Sequence, residues 1–434
     1  MRGLIQGTEH EYTYYNKELT SRGYDPHILA LEILHDKSEL HACGEFLKNQ
    51  SRAYYDVGHL ELSTCETTNA RDLVIWEKAG EKIVDWARRK VEELYLAPEK
   101  VILCLKNNTA PDGTSYGSHE NYCVSRRIPF PETFLRYLVP HLVTRIIYTG
   151  AGDILDGRYV LSPSAYLTGS VISSDTMHDV GILNTRDEPH GNEDKFRRLH
   201  ILVGDALMNE VAIALRQFTT TCVLLLIEED RLGDMPELVR PLEDLWEMVE
   251  CTNPDRWSIT IRASERFDNR EHVNPIEIQR YYLERSEDLI ESQIERRLFR
   301  RWERVLDLLE RKDTRSLARC VEWVDRFLTI KELSDKGKSE MSICKRYSET
   351  GKERSYFYER QEKDLVDRLI TDREIIRAIN APPRDTRAHA RWMIYRRFGE
   401  DIVSMDWASV RVKNKNGDIR EIVLDDPFRN DWQG

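Results

Sequence analysis

Eight cysteines are present, yet no two stand close enough to form a Cys-x-x-Cys set, so zinc ribbons and thioredoxin-type redox motifs are excluded as local signals. The chain also lacks a Gly-x-x-x-x-Gly-Lys loop and a Rossmann glycine fingerprint, so a bound nucleotide has to be held by other means. Long apolar runs are missing as well. The longest uninterrupted one, residues 222–227, falls far short of the about 20 residues a spanning helix needs. The opening residues reach Glu9 without an apolar core and do not read as a secretory leader. Positive charge is in deficit: 64 Lys and Arg face 76 Asp and Glu, a formal net charge of -12, which disfavours non-specific nucleic-acid binding. These absences lead to the expectation of a cytoplasmic protein with buried free thiols and neither a membrane nor a nucleic acid as partner.

What is present is globular. Hydrophobic residues make up 40% and charged residues 32%, too apolar for disorder. With 434 residues the chain exceeds a usual single domain. Residues 4–15, 52–63, 101–107, 119–126, 180–184 and 197–204 show the alternation or β-rich composition of strands. Helical spacing marks 26–34, 71–96 and 134–149, and a long, deeply buried helix is expected over 208–227. An Arg/Glu-dense helical region follows over 276–330. The Lys/Ser-rich stretch 332–356 reads as a linker. Beyond it come a helix over 371–380, a break at Ala381-Pro382-Pro383, a helix over 386–398, and a strand pair over 409–413 and 419–423. Strands cluster instead of alternating with helices. The expected fold class is therefore α+β, with a large, mainly antiparallel sheet backed by helices.

Four segments concentrate chemistry. In Gly7-Thr8-Glu9-His10-Glu11, a strand puts Glu9 and Glu11 on one face, where carboxylates suit a hard cation such as Mg²⁺. In the second segment, Arg52, Tyr54 and Asp56 share a face, as do His59 and Glu61 beyond a bend at Gly58. Burying that set is costly unless its members meet a ligand or each other. The third, Tyr116-Gly117-Ser118-His119-Glu120-Asn121-Tyr122, reads as a loop running into a strand and adds another carboxylate and imidazole. The fourth runs from Asn184-Thr185-Arg186 to Arg197-Arg198-Leu199-His200, with Arg198 and His200 on one face. Arginines facing carboxylates suit a metal–triphosphate site.

In order along the chain, these segments resemble the Pup ligase/depupylase family, within the glutamine synthetase-like carboxylate–amine ligases. Lys106-Asn107-Asn108-Thr109, Val203-Gly204-Asp205, Thr386-Arg387-Ala388, Asp406-Trp407 and Asp426-Pro427-Phe428-Arg429 extend the resemblance over nearly the whole chain. It implies a catalytic unit over 1–360 and a small C-terminal domain over 361–434. It further implies that ATP phosphorylates the C-terminal Glu of a small Pup-like modifier, which then joins a lysine of an acceptor protein. Carried over by position, Glu9, Tyr54 and Glu61 match Mg²⁺ ligands. Arg52, Thr64 and Trp407 match ATP contacts, and Asp56 matches the catalytic base. Arg186, Arg198 and His200 fall on phosphate or metal–phosphate positions. The ligase branch is the nearer one, because the 47 positions from Glu9 to Asp56 leave no room for the long loop of the depupylase branch. The short step from Asp56 to Glu61 matches the depupylase spacing instead, so hydrolysis of such bonds stays open beside ligation, as does a divergent ligase or phosphotransferase.

Overall fold

The computed structural model describes residues 3–36, 39–109, 115–176 and 178–432. The first strands are β1 (Gln6–Tyr15), β2 (His41–Cys43), β3 (Phe46–Leu47), β4 (Arg52–Asp56), β5 (His59–Ser63), β6 (Leu103–Leu105) and β7 (Ser118–Ser125). A small hairpin, β8 (Asp153–Leu155) and β9 (Arg158–Val160), precedes β10 (Ser170–Ser173), β11 (Gly181–Asn184) and β12 (Phe196–Ile201). Ten of these strands form one sheet in the order β10-β11-β12-β7-β1-β5-β4-β3-β2, with β6 also paired to β1. Only the β10–β11 pairing is parallel among the described residues. The α+β expectation with a large, mainly antiparallel sheet is therefore met.

Burial alternates along β1 and β7, so each turns one face inward and the other toward an open cleft. Behind the sheet lie the helices Ala70–Tyr95, Val139–Thr149 and Glu210–Glu228. The last is apolar and long enough to cross a membrane by composition, but all of its apolar window is buried in the protein, as a core helix. The inward face of β1 is partly polar and is satisfied by ions. Lys106 Nζ contacts Glu77 at 2.6 Å and Glu81 at 2.9 Å, and His10 Nε2 lies 3.2 Å from Glu77. Buried charges persist in such a place only when paired, and this layer fixes β1 from behind.

The structure corrects several expectations. Residues 52–63 are a hairpin, turning at Val57-Gly58 where both φ angles are positive, instead of one bent strand. The helix expected over 134–149 is two, Glu132–Tyr137 and Val139–Thr149, with Pro140 at the start of the second. The stretch 332–356 is not a linker. It completes the helix Glu322–Ser334 and carries the helix Glu340–Tyr347, whose Ile343, Cys344 and Tyr347 are buried against Phe357 and Tyr358. Three buried side chains at helical spacing suffice to anchor it, although its lysines and serines give the composition of a linker. The C-terminal strand pair gains a third member, Ile402–Met405.

Toward the C-terminus, Ile375 and Ala378 of the helix Asp372–Asn380 pack into the main core. After Pro382-Pro383, the helix Arg387–Phe398 and the three-stranded sheet share an apolar cluster of their own, built on Ala390, Ile394, Val410, Val412, Ile422 and Leu424. No disulfide occurs among the described residues, and all eight cysteines are free.

Candidate active site on the open face of the sheet

Cross-strand register gathers the predicted residues. Glu9 on β1 lies opposite Ser63 on one side and His119 on the other, and Glu11 lies opposite Glu61. On the hairpin, Arg52 faces Ser63, Tyr54 faces Glu61 and Asp56 faces His59. His200 faces Asn121 across β12 and β7. All of these but Asn121 line an open cleft of about 590 Å³ together with Arg186, Arg198 and Trp407. A smaller pocket of about 110 Å³ adjoins it, sharing Glu9, Ser63, His190, Arg198 and Trp407, and lined also by Gly7 and Thr64.

Glu9 is the hub. Arg198 Nη2 donates to its Oε1 at 2.8 Å, while His200 Nε2 and His119 Nδ1 stand 3.4 and 3.8 Å from its Oε2. Burial alone would raise the Glu9 pKa, but Arg198 and the two histidines bring it well below the usual carboxylate range. Burial drives His200 down to about 4, so it is a neutral ring at neutral pH. One atom each from Glu9, His119 and His200 lie within 4.8 Å of one another, close enough to converge on a cation.

Tyr54 and Glu61 form the second focus. The Tyr54 hydroxyl donates to Glu61 Oε1 at 2.5 Å and lies 3.1 Å from Ser63 Oγ. Burial, and then the charge of Glu9, holds the Glu61 carboxyl well above its ordinary pKa. Burial and then Glu11 and Glu9 also raise Asp56, which sits exposed at the hairpin end. The nearest contacts of the expected metal set thus divide it into Tyr54 with Glu61 and Glu9 with the imidazoles, all lining one cleft.

Arg52 is ion-paired to Glu45 at 2.5 Å, and its guanidinium stands 4.9 Å from the Tyr54 ring centroid. Thr64 Oγ1 accepts from Thr8 N at 3.0 Å and faces the inner pocket. Arg186 is exposed on the cleft rim, in the loop after β11. Trp407 packs edge-on against Phe46 with ring centroids 5.1 Å apart, and closes the inner pocket from the C-terminal side.

Three features of the site were not assigned from the sequence. Glu11 is ion-paired to His59 at 2.8 Å. His119 joins Glu9. Buried Glu66 binds two C-terminal arginines. Glu11, His59 and His119 lie in polar strand segments and are legible by strand alternation. Glu66 had no local signal.

A broad sheet whose open face collects carboxylates, imidazoles and arginines beside an aromatic-walled pocket has the layout of an enzyme acting on anionic, cation-bound substrates. The family described as Pup-ligase protein matches residues 4–411, and the chain belongs to that family. It is 34% identical over 392 residues to a Pup deamidase/depupylase of Mycolicibacterium smegmatis, covering 86% of this chain and 76% of that protein. It is 32% identical over 406 residues to a Pup–protein ligase of Kineococcus radiotolerans, covering 88% and 87%. Among solved structures, a ligase PafA in complex with the prokaryotic ubiquitin-like protein Pup superposes with a TM-score of 0.84 at 27% identity, over 99% of this chain and 90% of that one. A Pup ligase PafA in complex with ADP superposes with a TM-score of 0.78 at 28% identity, over 95% and 90%.

Proposed function

We propose that this chain is an ATP- and Mg²⁺-dependent ligase that activates the C-terminal Glu of a small Pup-like modifier and joins it to a lysine of an acceptor protein in the cytoplasm. The observation that carries the ligase direction is the compact course of the chain from β1 to β4. Two helices, Lys17–Ser21 and Pro26–His35, and the strand pair β2–β3 take up that interval, without the long loop expected of the depupylase branch. The solved complexes support the partner and the nucleotide, since the neighbours hold Pup and ADP.

The donor set fits a hard dication. Four carboxylates, Glu9, Glu11, Asp56 and Glu61, share one cleft, and desolvation and then their mutual repulsion raise Asp56 and Glu61. Glu9, Tyr54 and Glu61 would hold the ion through oxygen. When bound, it neutralises phosphate charge. Arg198, Arg52 and Arg186 offer guanidinium groups to phosphate oxygens. Trp407 and Thr64 wall the nucleotide pocket. An oxygen of the modifier's side-chain carboxylate attacks the γ-phosphorus, ADP leaves, and an acyl phosphate results. The lysine nitrogen then attacks the acyl carbon, Asp56 takes the amine proton, and inorganic phosphate departs as the isopeptide bond forms.

The test combines a modifier ending in Glu, ATP, Mg²⁺ and a lysine-bearing acceptor, and reads the products by mass spectrometry. ADP and an adduct lighter by one water than the sum of its parts are expected; neither appearing would sink the reading. Asp56→Asn should keep nucleotide binding and lose transfer. Two observations favour the hydrolase reading: the two-residue turn that gives the short Asp56–Glu61 step, and the 34% identity to a relative named a Pup deamidase/depupylase. A preformed conjugate incubated without acceptor tests it, and cleavage there with no ligation would reverse the assignment.

A further inference from the structure

Glu66 lies just past β5, in the loop that leaves the sheet, and its side chain is buried. Two arginines of the helix Arg387–Phe398 converge on it. Arg391 is bidentate, with Nη1 on Oε1 at 2.8 Å and Nη2 on Oε2 at 2.6 Å, and Arg387 Nε reaches Oε1 at 2.6 Å. The Thr386 hydroxyl adds a bond to the Glu66 carbonyl at 3.1 Å. This cluster joins the C-terminal helix to the sheet.

Each arginine also has a second contact, and each leads to a different wall of the inner pocket. Arg391 Nη1 donates to the Trp407 carbonyl at 2.8 Å, and its guanidinium stands 5.2 Å from the Trp407 ring centroid and 5.5 Å from that of Phe46. Arg387 Nη1 donates to the His190 carbonyl, and to the Leu424 carbonyl at 3.2 Å. Trp407 and His190 both line the inner pocket. One carboxylate therefore sets two guanidinium groups, and through them the aromatic wall and the loop wall between which a nucleotide would lie.

We propose that Glu66 is a positioning residue for nucleotide recognition, acting through Arg391 on Trp407 and through Arg387 on the His190 loop. The inference rests on the nucleotide being held beneath Trp407. A fork of two parallel bonds fixes a guanidinium plane in a way a lone charge does not, so the geometry of the carboxylate matters as well as its sign.

The experiment measures ATP·Mg²⁺ binding by isothermal titration, with KM for ATP and for the modifier alongside. Glu66→Gln is expected to weaken ATP binding about tenfold, while KM for the modifier and kcat at saturating ATP stay within about threefold. Glu66→Asp keeps the charge and should restore part of the loss. Arg391→Lys, which gives up the fork, should resemble Glu66→Gln. If Glu66 acts through Trp407, then adding Glu66→Gln to Trp407→Ala should cost less than it does alone. Unchanged ATP affinity in folded Glu66→Asp and Arg391→Lys would overturn the proposal, as would fully additive losses. Wild-type ATP affinity in Trp407→Ala would instead refute the nucleotide's place beneath Trp407. Because binding is read without turnover, failure of the ligase assignment leaves this test standing.

Discussion

The Tyr54 hydroxyl donates to Glu61 Oε1 at 2.5 Å across the β4–β5 ladder, where the two residues are direct partners. Glu61 is a buried carboxyl whose neighbours Glu9, Glu11 and Asp56 all disfavour its ionised form, whereas Tyr54 favours it. Tyr54→Phe removes that support and leaves a buried carboxylate oxygen short of a donor. It should raise the Mg²⁺ concentration for half-maximal turnover by about tenfold or more. It should also cost about 1–3 kcal/mol of stability. A magnesium titration of activity, with thermal melting alongside, checks both. An unaltered magnesium requirement would remove Tyr54 from the cation site.

Gly117 is the residue that lets Glu11 and His119 occupy one face. A Cβ there would stand 2.6 Å from Glu11 Oε1 and 2.7 Å from His119 Cε1, inside any real contact distance. Both neighbours are side-chain atoms, so Gly117→Ala should fold while displacing them from the cleft. A shift of about 1 Å in such groups costs on the order of a hundredfold in rate. Steady-state turnover and a melting curve test this together. Wild-type turnover in Gly117→Ala would mean that the position of neither side chain matters.

The central strands were legible because period-two alternation puts Glu9 with Glu11, and Arg52 with Tyr54 and Asp56, on a shared face before any tertiary contact is known. Gly58 marked a bend but not the hairpin, since Val57 is a poor residue for the positive φ that a two-residue turn needs. The helix Glu340–Tyr347 was hidden by a polar composition, and its three buried side chains show only against Phe357 and Tyr358. Glu66 was beyond reach for a different reason. Its partners Arg387 and Arg391 lie 321 and 325 positions away, and a long-range ion pair leaves no periodic trace. Similarly, Arg198 reads as a phosphate ligand in sequence, while in the fold it is also the partner of Glu9.

Val57 carries a φ of +41° beside Gly58 at +96°, both central positions of the turn that ends at His59. A β-branched residue in the left-handed region is strained, whereas Asn-Gly is the preferred pair for this two-residue turn. Val57→Asn should therefore stabilise the protein by about 1 kcal/mol. Urea unfolding reads it as a higher midpoint at unchanged slope. A lower midpoint would show that the Val57 side chain, exposed at 56%, contributes packing that outweighs its backbone strain.

Glu66 also predicts a pH dependence with a definite sign. Burial opposes its ionisation, but Arg391 and Arg387 overcome that and hold its pKa at about 2, against an ordinary 4.5. A carboxyl depressed by folding stabilises the folded state fully above its unfolded pKa and loses that contribution as pH falls through the folded one. The gap between about 2 and 4.5 corresponds to about 3 kcal/mol, present at neutral pH and lost between about pH 5 and 2. Glu66→Gln should accordingly be less stable than wild type at pH 7 by an amount of that order, and the difference should shrink steadily as the solution is acidified. Denaturant unfolding of both proteins across that interval measures it. A difference that stays constant with pH would mean that the hold of the two arginines on the sheet does not depend on the charge of Glu66.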